Sequence, residues 1–137
     1  MFVLHERLET DTVFVIDWPV STVRLMNDAS YPWLVLVPRF NAISELHHLE
    51  PADQAQVMEE ISAASRSIER LYSPDKINIG ALGNLVPQLH IHVLGRFGTD
   101  AAWPGPVWGA HPPTPYEPDT LKVTLDKFRL DLVQAFD

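Results

Sequence analysis

An α+β fold, a five-stranded antiparallel sheet with one long helix and a C-terminal helix, is predicted by three features of this chain. Before residue 40 there are three short runs rich in β-branched and aromatic residues, separated by turn formers. From Pro51 to Tyr72 the apolar spacing changes to that of a helix. After it, period-two alternation returns in Lys76–Ala81 and Gln88–Leu94. Runs of strands followed by segregated helices place the helices together on one face of an antiparallel sheet.

In chain order, Phe2 to Leu8 is expected to form a short helical turn. Thr12–Asp17 is the first strand, ended by Trp18-Pro19, and Ser21–Asn27 returns beside it as a hairpin. Asp28-Ala29-Ser30-Tyr31-Pro32 then turns into a third strand, Trp33–Val37, closed by Pro38. In the long helix, Val57, Ile61, Ala64, Ile68 and Leu71 recur at steps of four and three and make one apolar stripe. Pro51 suits the first helical position and Asp53 the positive end of the dipole; Glu50 is a weak cap and Ser73-Pro74 stops the helix.

The stretch 97–118, dense in Pro, Gly and Trp, admits neither helix nor ladder and is expected to be an ordered loop anchored by Trp103 and Trp108. Leu121, Leu125, Phe128, Leu132 and Phe136 predict a C-terminal helix over 119–137. The whole chain, 1–137, reads as one domain with its core at about 12–96.

Composition narrows the function. A net charge of −8 argues against nucleic-acid polymers, whose phosphates need many Lys and Arg, so an anionic ligand must be held locally. The absence of cysteine removes disulfides and thiolate zinc sites. No apolar run suits a membrane span or a signal peptide, and a cytoplasmic location is expected.

Chemistry concentrates in Gln88-Leu89-His90-Ile91-His92-Val93-Leu94. If this is a strand, Leu89, Ile91 and Val93 face the core, while Gln88, His90 and His92 share the other face, the one without helices. Imidazole nitrogens near neutrality attack phosphorus, carry protons or bind metals. The preceding segment 78–87 supplies glycines, amides and backbone N–H groups for an anion. His47 and His48 are expected to be solvated, and His5 and His111 offer no partner by sequence.

These residues resemble the histidine triad (HIT) family, whose signature is His-φ-His-φ-His-φ-φ on the last strand of such a sheet, φ being apolar. Gln88 stands in the place of the first histidine. Gly83-Asn84-Leu85-Val86 is similar to the family's phosphate loop, and Leu25-Met26-Asn27 with Trp33–Pro38 to its ribose-contacting region. The resemblance implies that His90 attacks an α-phosphate to form a nucleotidyl-histidine that water hydrolyses. It implies that the Gln88 carbonyl orients His90 and that His92 bonds phosphate oxygens and assists proton transfer. Asn27 would hold the ribose, Asn84 and the Leu85 N–H the phosphate, and Asn78 would reach the leaving side. Trp33 stands where many members carry a further histidine, which bears on rate and leaving group.

The implied activity is a nucleotide hydrolase or nucleotidyl transferase acting on dinucleoside polyphosphates or nucleoside phosphoramidates. No cofactor is expected, magnesium at most accompanying the nucleotide. A nucleotide-binding sensor without turnover is the alternative. A zinc metallohydrolase, with His90, His92 and either Asp100 or His111, is a third reading. A homodimer is also implied, with Met58, Ser65 and Tyr72 as a second helix strip and Trp103 or Trp108 reaching across the partner.

Overall fold

The computed structural model describes residues 1–136. Its elements are α1 (Glu6–Asp11), β1 (Thr12–Asp17), β2 (Ser21–Met26), β3 (Trp33–Pro38), a 3-10 turn (Leu46–His48), α2 (Pro51–Tyr72), β4 (Lys76–Gly80), β5 (Ile91–Arg96) and α3 (Pro118–Leu132). The strands form one antiparallel sheet in the order β1-β2-β3-β5-β4. The fold is the expected α+β arrangement, with β5 inserted between β3 and the edge strand β4.

Alternation sorts the strand residues into two cores. Val23, Leu25, Leu34, Leu36, Ile91 and Val93 pack with Val57, Ile61, Ala64 and Ile68 of α2 and Leu125, Phe128 and Leu132 of α3. On the opposite face Trp33, Val35, Val37 and Leu94 pack with Leu8 of α1 and Val107 of the loop after β5. Contrary to the expectation from sequence, the histidine face is therefore not free of helix. The six-residue α1 lies on that side, capped by His5, whose Nδ1 accepts the Arg7 N–H at 3.0 Å.

The Pro51–Tyr72 helix has the expected bounds and ends in left-handed Ser73 (φ 49°). Fully buried Glu60 ties it to the β1–β2 turn, accepting the N–H groups of Val20 and Ser21 at 2.9 Å each. A carboxylate there satisfies two donors that the turn would otherwise bury unpaired.

Three boundaries differ from expectation by more than a residue, the first being α1, which spans Glu6–Asp11 rather than Phe2 to Leu8. β5 begins at Ile91 rather than Gln88, because Leu36↔Ile91 is the last pair with β3 and Gly80↔His92 the last with β4. Beyond that point no strand lies alongside, and the Leu89 N–H bonds the Ile43 carbonyl at 2.9 Å instead. The last helix ends at Leu132, not in the 130s beyond it. The Leu132 carbonyl accepts the Trp18 indole N–H at 3.2 Å, and Phe136 reaches the core edge-on against Trp18 from a turn. Asp137, the end of the expected helix, lies outside the described residues. Among the described residues no helix is long and apolar enough to cross a membrane.

Candidate active site

His90 sits at the open end of β5 and His92 inside it, two residues on, so their rings share one face with centroids 5.0 Å apart. Both are nearly buried, at 7% and 6% exposure, and both line a cleft of about 680 Å³, a size that holds a small ligand.

Their hydrogen bonds set opposite tautomers. His90 Nδ1 lies 2.7 Å from the Gln88 carbonyl, which only accepts, so Nδ1 carries the proton and Nε2 keeps a free lone pair. His92 Nδ1 accepts the Trp33 indole N–H at 3.0 Å, and an indole only donates, so the His92 proton is on Nε2. One imidazole is thus an acceptor or nucleophile and its neighbour a donor. Burial between Trp33 and Trp108, and secondarily repulsion from His90 in its protonated form, pull the His92 pKa down to about 3. At neutral pH His92 is an uncharged donor.

The loop after β5 is pinned by a buried ion pair. Arg96 Nε and Nη2 donate to Asp100 at 2.9 and 3.0 Å, and Asp100 also accepts the N–H groups of Phe97 and Trp103. Hydrogen bonding from Arg96 foremost holds the Asp100 carboxyl down at about 2. Asp100 is thereby committed to structure. The pinned loop delivers Trp108 to the cleft, where it packs on His92 at 5.6 Å and against Gly80; a Cβ on Gly80 would come within 3.0 Å of the indole.

Asn27, Trp33, Asn84 and Leu85 also line the cleft. The Asn27 Oδ1 accepts the Tyr116 N–H at 2.9 Å, and Leu85 is 86% exposed at the mouth. Asn78 does not line it: its Oδ1 accepts from Arg96 Nη1 at 2.9 Å, bracing the loop anchor instead. Gln88 contributes its backbone to the site, while its side chain holds the N-terminal segment through the His5 N–H (2.8 Å) and the Val3 carbonyl (2.9 Å).

Several lining residues were not picked out from sequence. Arg7 and Asp11 pair across one turn of α1 at the rim, an i,i+4 spacing that was visible but unplaceable. His111, expected to lack a partner, stacks on Tyr31 and accepts its hydroxyl proton at Nε2 (2.7 Å), while its Nδ1 donates to the Pro112 carbonyl (2.9 Å). His5, likewise, is the cap of α1. Trp103 lies under the Arg96 guanidinium at 5.7 Å, away from the cleft. His47 and His48 are exposed, as expected. Among the described residues no group of three His, Cys, Asp or Glu side chains converges as a metal cage would require.

Known proteins resemble this chain in sequence and fold. The HIT domain matches residues 7–99. A histidine triad protein from Marinobacter aquaeolei VT8 superposes with a TM-score of 0.96 at 44% identity, over 98% of each chain. One from Bradyrhizobium japonicum gives 0.93 at 44% identity, over 96% of this chain and 98% of that one. Among curated proteins, an AP-4-A phosphorylase from Mycobacterium tuberculosis is 35% identical over 81 residues, 52% of this chain. The chain spans only 41% of that relative's length. With the domain match covering most of the sequence and the fold matching throughout, the chain belongs to the HIT domain family.

Proposed function

We propose that the protein is a nucleotide hydrolase or nucleotidyl transferase that cleaves at the α-phosphate through a covalent nucleotidyl-His90, with dinucleoside polyphosphates or nucleoside phosphoramidates as substrates. The observation that carries this reading is the His90 tautomer: the Gln88 carbonyl takes Nδ1–H and leaves the Nε2 lone pair for attack. Gln88 supplies that carbonyl as well as a histidine would. His92, with Nε2–H, is placed to bond phosphoryl oxygen as charge develops. Asn27 is assigned to the ribose, and Asn84 with the Leu85 N–H to the phosphates. The AP-4-A phosphorylase relative supports nucleotide chemistry of this kind. No resident metal is assigned, and magnesium would enter with the nucleotide.

Rapid quenching with a radiolabelled dinucleoside polyphosphate should trap an acid-labile, base-stable adduct on His90. Turnover without any adduct would refute the covalent route. A second reading, a nucleotide sensor without turnover, is favoured by one feature: His92, buried and with its Nδ1 taken by the Trp33 indole, is neutral. Tight nucleotide binding with neither adduct nor product would establish it.

A homodimer is also proposed, joined along the sheet. Tyr72 of the expected helix strip packs on Phe128 of α3 at 5.6 Å, and Ser65 bonds the Ile61 carbonyl within its own helix, so Met58 alone of the three stays exposed. Trp108 lines its own cleft and is not free to cross a partner. The edge strand β4, with Ile79 half exposed, offers the better self-complementary seam. A monomer by light scattering at micromolar concentration would overturn this.

A further inference from the structure

We infer that the cleft favours nucleotides whose leaving group departs as a weakly basic oxyanion, phosphoanhydrides above all, over phosphoramidates, and that Trp33 is the positioning residue that sets this preference. The inference rests on the nucleophilic role of His90 proposed above.

Breaking a P–N bond to an alkylamine needs a proton on the departing nitrogen; breaking a P–O bond to a phosphate does not. His92 is the imidazole beside the nucleophile, and the Trp33 indole occupies its Nδ1 at 3.0 Å. An imidazolium would place a second N–H against the indole N–H, so the ring stays neutral with one proton, on Nε2. Giving up that proton would leave an imidazolate. His92 therefore offers a hydrogen bond and no readily transferable proton. Trp33 and Trp108, each 5.6 Å from the ring, also keep water from it and so disfavour a charge there.

Among the described residues lining the cleft, each of the other titratable groups already makes a hydrogen bond or ion pair within the protein. Both His111 nitrogens are occupied, by Tyr31 and the Pro112 carbonyl. Asp28 Oδ1 accepts the N–H groups of Ser30 and Thr114, and Asp11 pairs with Arg7.

The steps balance for an anhydride. The His90 Nε2 lone pair forms the N–P bond, and the P–O bond breaks with its electrons on the departing phosphate, steadied by the His92 Nε2–H. Water oxygen then forms a new P–O bond, the N–P electrons return to Nε2, and the water proton is released to solvent. With a phosphoramidate the departing nitrogen would carry its electron pair out unprotonated, and only bulk water could supply the proton.

The test compares kcat/KM for a dinucleoside triphosphate and for the alkyl phosphoramidate of the same nucleoside, with adduct trapping in parallel. The parent is expected to prefer the anhydride by about 100-fold or more, the contribution of a positioned proton donor. Trp33→Phe should narrow that gap, give phosphoramidate cleavage an acidic pH limb, and release His92 Nδ1 in the ¹⁵N spectrum, a change that a merely structural loss would not produce. A graded series of aryl nucleotide esters on the parent, which needs no variant to fold, should show rates falling steeply as leaving-group pKa rises. Equal use of both substrates, a shallow series, or an unchanged gap once Nδ1 is free would overturn the inference while adduct formation upholds the role of His90. Absence of adduct with either substrate would remove that role and this inference together.

Discussion

The two faces of the sheet are built from alternate residues of the same strands, yet they are closed in different ways. On β3, Leu34 and Leu36 meet the helices while Trp33, Val35 and Val37 face the loop; on β5, Ile91 and Val93 contrast with His92. The helical face is closed mainly by two apolar stripes, with Glu60 and the Leu132 carbonyl as its directional ties to the β1–β2 region. The other is closed by a short helix and a pinned loop, and three of its buried polar pairs shape the site: His90 with Gln88, His92 with Trp33, Arg96 with Asp100. Non-directional burial stabilises the first, and directional pairing shapes the second. Stability should therefore be lost from one face and activity from the other.

The sharpest test is His90→Asn. It removes the nucleophile and should lower kcat by at least about 10⁴-fold while the thermal transition stays near that of the parent. Activity within tenfold of the parent would dismiss the assignment. From the other face, Phe128→Ala empties a fully buried site and should cost about 3–5 kcal/mol in denaturant unfolding. Its kcat per folded molecule should be unchanged, and a specific loss of activity would show that the faces are coupled.

His92 joins both properties. His92→Ala should cost about 10²-fold in kcat, and a loss equal to that of His90→Asn would reverse the two roles. Its depressed pKa also gives a pH signature. In the unfolded chain the ring binds a proton below about 6.5, whereas in the folded protein it does so only near 3. The unfolded state thus holds more protons in that window, and stability falls as pH drops through it, by at most about 1.4 kcal/mol per pH unit. Removing His92 should flatten this limb of the stability profile. A flattening absent in His92→Ala would place the acid sensitivity elsewhere, Asp100 being the next group to lose its ion pair at lower pH.

Smallest of all should be Gln88→His. It keeps the carbonyl that orients His90 and breaks the two side-chain bonds to the N-terminal segment. Activity should change by only a few-fold, with a stability loss of about 1 kcal/mol. A gain of orders of magnitude would mean that the side chain, rather than the carbonyl, governs the site.

The strands, the long helix with its bounds, and the pairing of His90 with His92 on one face were legible in the sequence, because each depends on local periodicity and on residues that start or stop an element. The ends of β5 and α3 were not, since they are set by where neighbouring strands cease and where the Trp18 indole claims a helix carbonyl. Asn78 looked like a ligand contact and is a brace for Arg96; His5 and His111 looked idle and are a cap and a cleft wall. The protonation state of His92 is the clearest case. Its donor is Trp33, on a strand joined to β5 through the long helix, and only tertiary packing brings that indole N–H to the imidazole. Local pattern selects the residues, their faces and near pairings such as His90 with Gln88, whereas the bond that fixes His92 depends on a contact distant in sequence, and that contact decides its chemistry.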